Sequence, residues 1–186
     1  GLMEIMDDIK IQHLIINPLE EDYNDLLSLA RTYGISINQS DHTTIKVGNE
    51  LYIEFIYPNV LHQYIGANNS SVVIKITYKD QNFLFMGDLE SNGEKVLLQE
   101  GHDLKSDFIK IGHHGSSTST SKEFIERVRP TYAIISVGAN NHFNHPNKET
   151  INLLEEKNIK ILRTDLHGAI EVKIHGNRTS IRTYIE

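Results

Sequence analysis

The stretch Lys110-Ile111-Gly112-His113-His114-Gly115-Ser116-Ser117 sets two adjacent imidazoles directly after the apolar run 108–111 and before a turn rich in serine and threonine. A short run rich in apolar and β-branched residues reads as a strand, so the imidazoles fall at a strand tip, where they suit a metal or a phosphate. Working backward, Phe83-Leu84-Phe85-Met86-Gly87-Asp88 ends a second apolar run in a carboxylate. Working forward, the apolar run 132–137 opens into Ser136-Val137-Gly138-Ala139-Asn140-Asn141-His142-Phe143-Asn144-His145-Pro146, and a later run closes in Arg163-Thr164-Asp165-Leu166-His167-Gly168. Strands that each end in a polar cluster deliver those clusters to one rim of a layered sheet, where active sites collect.

Helical patterns at 93–99, 122–128 and 148–157 alternate with strands at 108–111, 132–137 and 159–162. Upstream, the pattern predicts a helix end over 3–9, a strand over 11–17, and a helix over 20–33 stopped by Gly34. Two hairpins follow, 43–47 with 51–56 around Gly48-Asn49-Glu50, and 71–78 with 83–86. Two last strands, 169–174 and 180–185, meet around Gly176-Asn177. A meander of strands followed by strand-helix alternation predicts an α/β (α+β) fold of mixed sheets covered by outer helices, in one domain.

With 186 residues, 39% of them hydrophobic, the chain is long enough to bury one real core. It has no cysteine, which excludes a disulfide framework and a thiolate zinc site. A metal must therefore use His, Asp, Glu or Asn, and ten histidines make that feasible. The net charge of −7 argues against broad electrostatic adhesion to nucleic acid. A metal-centred phosphodiesterase remains open, because bound cations supply local positive charge. No apolar run approaches the roughly 20 residues that cross a bilayer, and the start resembles no signal peptide, so a soluble domain is expected.

Each candidate has a plainer alternative. Asp88 either ligates a metal or caps the helix that follows. If the strand continued through His113 and His114, they would point to opposite faces, and at most one would face a given metal. Ser116 and Ser117 offer hydroxyls and backbone N–H groups to a phosphate, while Thr120 and Ser121 suit a helix cap. Pro146 restricts the backbone of His145, and His142 reads as exposed. Asn69 sits in Asn68-Asn69-Ser70-Ser71, either an ordinary turn or a contribution to the rim. Arg163 and Thr164 either reach the same rim or form a polar turn.

Taken in order, Asn69-Ser70-Ser71, Gly87-Asp88, His113-His114-Gly115-Ser116, Ser136-Val137-Gly138 with Asn141 and His145-Pro146, and Arg163-Thr164-Asp165 with Gly168 resemble the metallo-β-lactamase-fold domain of the ComEC/Rec2 competence family. The resemblance implies an αββα sandwich of two mixed sheets with helices outside. It also implies a binuclear site, zinc or manganese, that activates water to hydrolyse an ester, amide or phosphodiester bond. By that resemblance Asp88 bridges two metals, and His114, or else His113, completes the second ion. His145, with Ser116, Asn141 and His113, would contact a phosphate or protonate the leaving oxygen. Asn69, Ser117, Arg163 and Thr164 are the substrate-binding candidates.

Family members also carry an early His-x-His-x-Asp-His motif, and this sequence has nothing of that form. Residues 1–186 are therefore expected to be the larger, C-terminal part of one N-terminally incomplete domain, or a natural degenerate copy. The implied function is a metal-dependent phosphodiesterase or nuclease linked to DNA uptake, weakly active or inactive in this chain alone. Its implied partners are DNA and an upstream membrane channel, which would make it membrane-associated. A standalone relative would be cytoplasmic and could act on a small phosphodiester. The rival from another class is a non-catalytic DNA- or partner-binding module of a competence channel.

Overall fold

The structure, a computed structural model, describes residues 2–17, 23–59, 66–176 and 178–185. Strand β1 (His13–Ile16) and strand β2 (Ser36–Gln39) pair in parallel across helix α1 (Asn24–Thr32). This unit has its own small core of Met6, Leu14, Ala30 and Ile35. The helix expected over 20–33 is thus seen from Asn24, and residues 20–22 lie outside the described residues. Over 3–9 the structure has a single 3-10 turn, Glu4–Met6, without a side-chain cap, rather than the end of a longer helix. Strand β2 had no apolar alternation to announce it, because Ser36-Ile37-Asn38-Gln39 carries one apolar residue in four.

Strands β3 (Thr44–Val47), β4 (Leu51–Tyr57), β5 (Val73–Tyr78) and β6 (Gln81–Phe85) form an antiparallel meander. From β6 the sheet changes character. Strands β7 (Phe108–Lys110), β8 (Tyr132–Ile135) and β9 (Lys160–Arg163) join in parallel, giving one seven-stranded sheet in sequential order β3 to β9. Each parallel step needs a long crossover, and helices α2 (Ser91–Glu100), α3 (Lys122–Val128) and α4 (Lys148–Glu156) supply them. After β9 comes the short helix α5 (Thr164–His167), and then β10 (Ile170–His175) and β11 (Arg178–Thr183) form a separate hairpin. Gly176 of its turn is described, whereas Asn177 is not. The fold is the mixed α/β class that the pattern of runs predicts.

One face of the large sheet is the core. Leu84, Ile109 and Ala133 are fully buried there with Leu97 of α2, Phe124, Ile125 and Val128 of α3, and Leu154 of α4. The register carries a second row across all seven strands, Ile45, Ile53, Ile76, Phe83, Phe108, Tyr132 and Lys160. In it Phe83 stacks on Phe108 at 4.7 Å, Phe108 on Tyr132 at 4.9 Å, and the Lys160 ammonium sits 5.1 Å from the Tyr132 ring centre. Aromatic neighbours at such spacing add attraction beyond area burial, which helps hold three parallel strands in register.

Glu94 fastens two crossover helices together. Its side chain is buried, and its carboxylate accepts the backbone N–H of Thr120 at 2.6 Å and of Ser121 at 2.9 Å. Burial pushes the carboxyl above its ordinary value, while the two N–H donors pull it back. The contact fixes the start of α3 against α2, just beyond the His113-His114 turn.

Candidate metal centre at the strand ends

Because β6, β7, β8 and β9 run parallel, their C-terminal ends share one rim. Asp88 follows β6, the histidine pair follows β7, the loop of residues 136–146 follows β8, and Arg163-Thr164 closes β9. The expected convergence of these clusters is therefore what the topology delivers.

Strand β7 stops at Lys110, and the chain does not continue extended through the histidines. His113 (φ 45°) and His114 (φ 54°) both adopt left-handed backbone inside the turn Gly112–Gly115. Two consecutive non-glycine residues in that region cost of order 1–3 kcal/mol each and cluster at functional sites. The opposite-faces expectation is thereby corrected. The two rings lie 6.5 Å apart, and His113 also meets His145 edge-on at 5.6 Å, so three imidazoles gather at the rim. Gly115 (φ 81°) permits this: a Cβ there would stand 2.7 Å from Pro146 Cβ.

His114 is oriented from behind. Its Nδ1 lies 2.6 Å from the Ser136 carbonyl oxygen, which can only accept, so Nδ1 carries a proton and the neutral ring would present its lone pair at Nε2. That Nε2 faces Asp88 Oδ1 at 3.7 Å, with both side chains a little under half exposed. Asp88 is placed by its own N–H, which donates to Ser71 Oγ at 2.9 Å. The close approach of Gly87 to Ser71, where a Cβ would stand 2.9 Å from Ser71 Cβ, makes that contact possible.

His113 is anchored in the same fashion by a residue that sequence reasoning missed. Its Nδ1 lies 3.4 Å from Glu90 Oε1 and 3.4 Å from Thr118 Oγ1, and the Thr118 hydroxyl donates to Glu90 Oε1 at 2.9 Å. The signal available was the Asp88-Leu89-Glu90 spacing, with Leu89 fully buried between two carboxylates. Lys110 was also missed. Its ammonium donates to the Gly87 carbonyl at 3.0 Å, and burial lowers its pKa while nearby Asp88 raises it.

Several candidates turn out to be braces. Asn69 is buried, donates to Glu90 Oε2 at 3.3 Å and accepts from the Gly93 N–H at 3.2 Å, so it holds the start of α2 and Glu90 rather than facing outward. Ser116 is buried too, with Oγ 3.0 Å from Thr118 Oγ1. Asn141 donates to the His145 carbonyl at 2.7 Å and accepts the His145 N–H at 2.9 Å, which fixes the backbone of that histidine. The Thr164 hydroxyl donates to the Val137 carbonyl at 2.7 Å and accepts the Val137 N–H at 2.8 Å. Arg163 is turned to Asp165 by bonds of 3.0 and 2.6 Å. Ser117 is exposed. Ser121 caps α3 as expected, accepting from the Phe124 N–H.

His145 lines a cavity of about 200 Å³ with His114, Val137, Gly138, Asn141 and Phe143. Burial, then the neighbouring His113 and His114, push its imidazole below the ordinary value and favour the neutral ring. Phe143 is 80% exposed and stacks on His145 at 5.9 Å with an interplanar angle of 16°.

The donor set at the rim fits a divalent cation. An imidazole nitrogen and a carboxylate oxygen 3.7 Å apart approach the edge of about 3.3 Å that a tetrahedral site with bonds of 2.0–2.1 Å requires. Among the described residues, no group of three ligands forms at this rim.

Residues 44–139, just over half of the chain, match the family model described as the metallo-beta-lactamase superfamily. The chain is 36% identical over 152 residues to ComE operon protein 3 of Bacillus subtilis (strain 168), covering 80% of this chain and 19% of that protein. It is 38% identical over 119 residues to Competence protein ComA of Neisseria gonorrhoeae, with 63% and 17% covered. To Recombination protein 2 of Haemophilus influenzae it is 31% identical over 115 residues, with 62% and 14% covered. The chain thus spans less than a fifth of the length of these curated relatives. In fold it is similar to a putative metal-dependent hydrolase from Parabacteroides distasonis, with TM-score 0.52, 12% identity, and 83% of this chain and 64% of that chain covered. On these sequence matches the chain belongs to the metallo-β-lactamase superfamily, as a ComEC/Rec2-like member.

Proposed function

We propose that this chain is the C-terminal part of a metal-dependent phosphodiesterase domain, a nuclease linked to DNA uptake, with little turnover by itself. The observation that supports it most is the pairing of His114 Nε2 with Asp88 Oδ1, behind which the Ser136 carbonyl sets the tautomer. Zinc or manganese held there would lower the pKa of a water and offset charge on the phosphorane-like transition state. Asp88 and His114 would supply ligands, with His113 a further one, its Nδ1 held by Glu90. His145, braced by Asn141, would donate a hydrogen bond to a phosphate oxygen as the neutral imidazole that its burial favours, whereas handing a proton to the leaving group would require its imidazolium form. Ser117 is exposed beside the same turn, while the Thr118 hydroxyl is committed to Glu90.

Only Asp88 and His114 face each other, and with His113 outside any such group the rim falls short, among the described residues, of the three convergent protein ligands that catalytic zinc sites keep. The remainder of the set would come from sequence outside this chain, in a parent protein as long as its relatives. The same count favours the rival reading, a DNA- or partner-binding module without turnover. A small phosphodiester is the alternative substrate, and an attached membrane channel is the partner that the competence relatives suggest. Hydrolysis of bis-p-nitrophenyl phosphate and of single-stranded DNA, with and without manganese, separates the readings. The parent protein should cleave both, and Asp88→Ala should abolish cleavage. A parent protein that binds DNA without any turnover would leave only the binding module.

A further inference from the structure

We propose a second divalent-cation site, made by His42, Glu100 and His102 and distinct from the strand-end rim. His42 belongs to the connection between β2 and β3, Glu100 is the last residue of α2, and His102 follows its left-handed cap Gly101. One ligand atom from each of the three lies within 4.8 Å of the others. His102 Nε2 stands 3.2 Å from Glu100 Oε2, close to the edge of about 3.3 Å expected between ligands of tetrahedral zinc. The His42 and His102 rings stack at 5.4 Å with an interplanar angle of 30°.

Four further features point to a cation. Asn59 Nδ2 donates to Glu100 Oε1 at 3.0 Å, holding the carboxylate with Oε2 toward the imidazoles, as outer partners of metal ligands do. Asp41 Oδ1 is buried without a hydrogen-bond partner and lies 3.8 Å from His42 Nε2, an uncompensated carboxylate oxygen beside the cluster. His42 is held in left-handed backbone (φ 45°), which a functional constraint would explain. The cluster also sits at the C-terminal, negative end of a ten-residue helix, where positive charge is favoured. Two imidazoles with one carboxylate is a zinc-type set, which nickel or copper would also enter.

The site is separate from the rim. Glu90 and Glu100 lie at opposite ends of α2, whose ten residues span about 15 Å. A cation here would staple the β1-α1-β2 unit, through its exit loop, to the sheet that carries the rim. Its role is structural, and it does not depend on the hydrolase reading.

The test is zinc binding to metal-stripped protein by equilibrium dialysis, with thermal unfolding followed in parallel, in wild type, His42→Ala/His102→Ala and Asp88→Ala/His114→Ala. The expected result is one zinc fewer per chain, and a lost zinc-dependent rise in Tm, in the His42/His102 variant, with both retained in the Asp88/His114 variant. Cobalt added to the Asp88/His114 variant should give the visible absorption of a four-coordinate ion. Unchanged zinc stoichiometry in the His42/His102 variant, or no cobalt spectrum in the other, would overturn the proposal.

Discussion

His114 is clamped between two neighbouring strand ends: its Nδ1 donates to the Ser136 carbonyl beyond β8, and its Nε2 faces the Asp88 carboxylate beyond β6. Held on one side by a carbonyl, the neutral ring has one tautomer, which presents its lone pair toward Asp88 without reorganisation. Loss of an outer partner alone typically costs 10–100-fold in metal affinity. Replacing a ligand should cost at least that. We expect Asp88→Ala and His114→Ala each to weaken manganese binding by roughly 10-fold or more. Titration calorimetry checks it, and an unchanged affinity in either variant would remove that residue from the centre.

Glu94→Ala tests the fastening of α2 to α3. The substitution leaves the N–H groups of Thr120 and Ser121 without their acceptor in a buried setting. Each unsatisfied buried donor costs about 1–3 kcal/mol. Urea unfolding should therefore show a loss of about 2–6 kcal/mol. A loss below about 1 kcal/mol would mean that water replaces the carboxylate readily.

The strand ends were legible because chemistry-bearing residues interrupt apolar runs abruptly. Phe-Leu-Phe-Met before Gly87-Asp88 and Phe-Ile-Lys-Ile before Gly112 leave little doubt about where the strands lie, and parallel pairing then brings the ends together. Roles within the cluster were less legible, since a polar residue near a rim can face outward or brace from behind. Asn69 and Asn141 are identical in type to substrate contacts, yet the first caps α2 and the second holds the His145 backbone. Glu90 escaped notice because it depends on a contact across sequence, to Thr118 and His113. The His42, Glu100 and His102 group is invisible in the chain order for the same reason: 58 residues separate its first two members.

Asp165 gives a pH signature that involves no metal ligand. Arg163 donates to both carboxylate oxygens and, chiefly through that bonding, holds the Asp165 carboxyl below its ordinary value. A depressed carboxylate pKa contributes stability that is fully present above the unfolded value of about 3.9 and disappears as pH falls through the folded value. Asp165→Asn should thus lower unfolding free energy at pH 7 by about 1 kcal/mol or less, with the difference from wild type fading below about pH 4. Urea titrations at several pH values measure it. A difference that persisted at pH 2 would assign the effect to packing instead.

Phe143 separates nucleic acid from small phosphodiesters as the ligand of the rim. A ring 80% exposed, stacked on His145 beside the 200 Å³ cavity, gains nothing from burial in the folded chain. An unpaired base could use its free face, and base–aromatic stacking is worth about 1–3 kcal/mol. Phe143→Ala should then weaken binding of a short single-stranded oligonucleotide roughly 5- to 150-fold in the presence of manganese. Because no phosphate contact is removed, the slope of log affinity against log salt should stay unchanged. Fluorescence anisotropy across a salt series reads both quantities, with manganese affinity as the control for an intact rim. Equal oligonucleotide affinity in the variant would take Phe143 out of recognition, and would shift the balance toward a small phosphodiester that needs only the His114, Asp88 and His145 cluster.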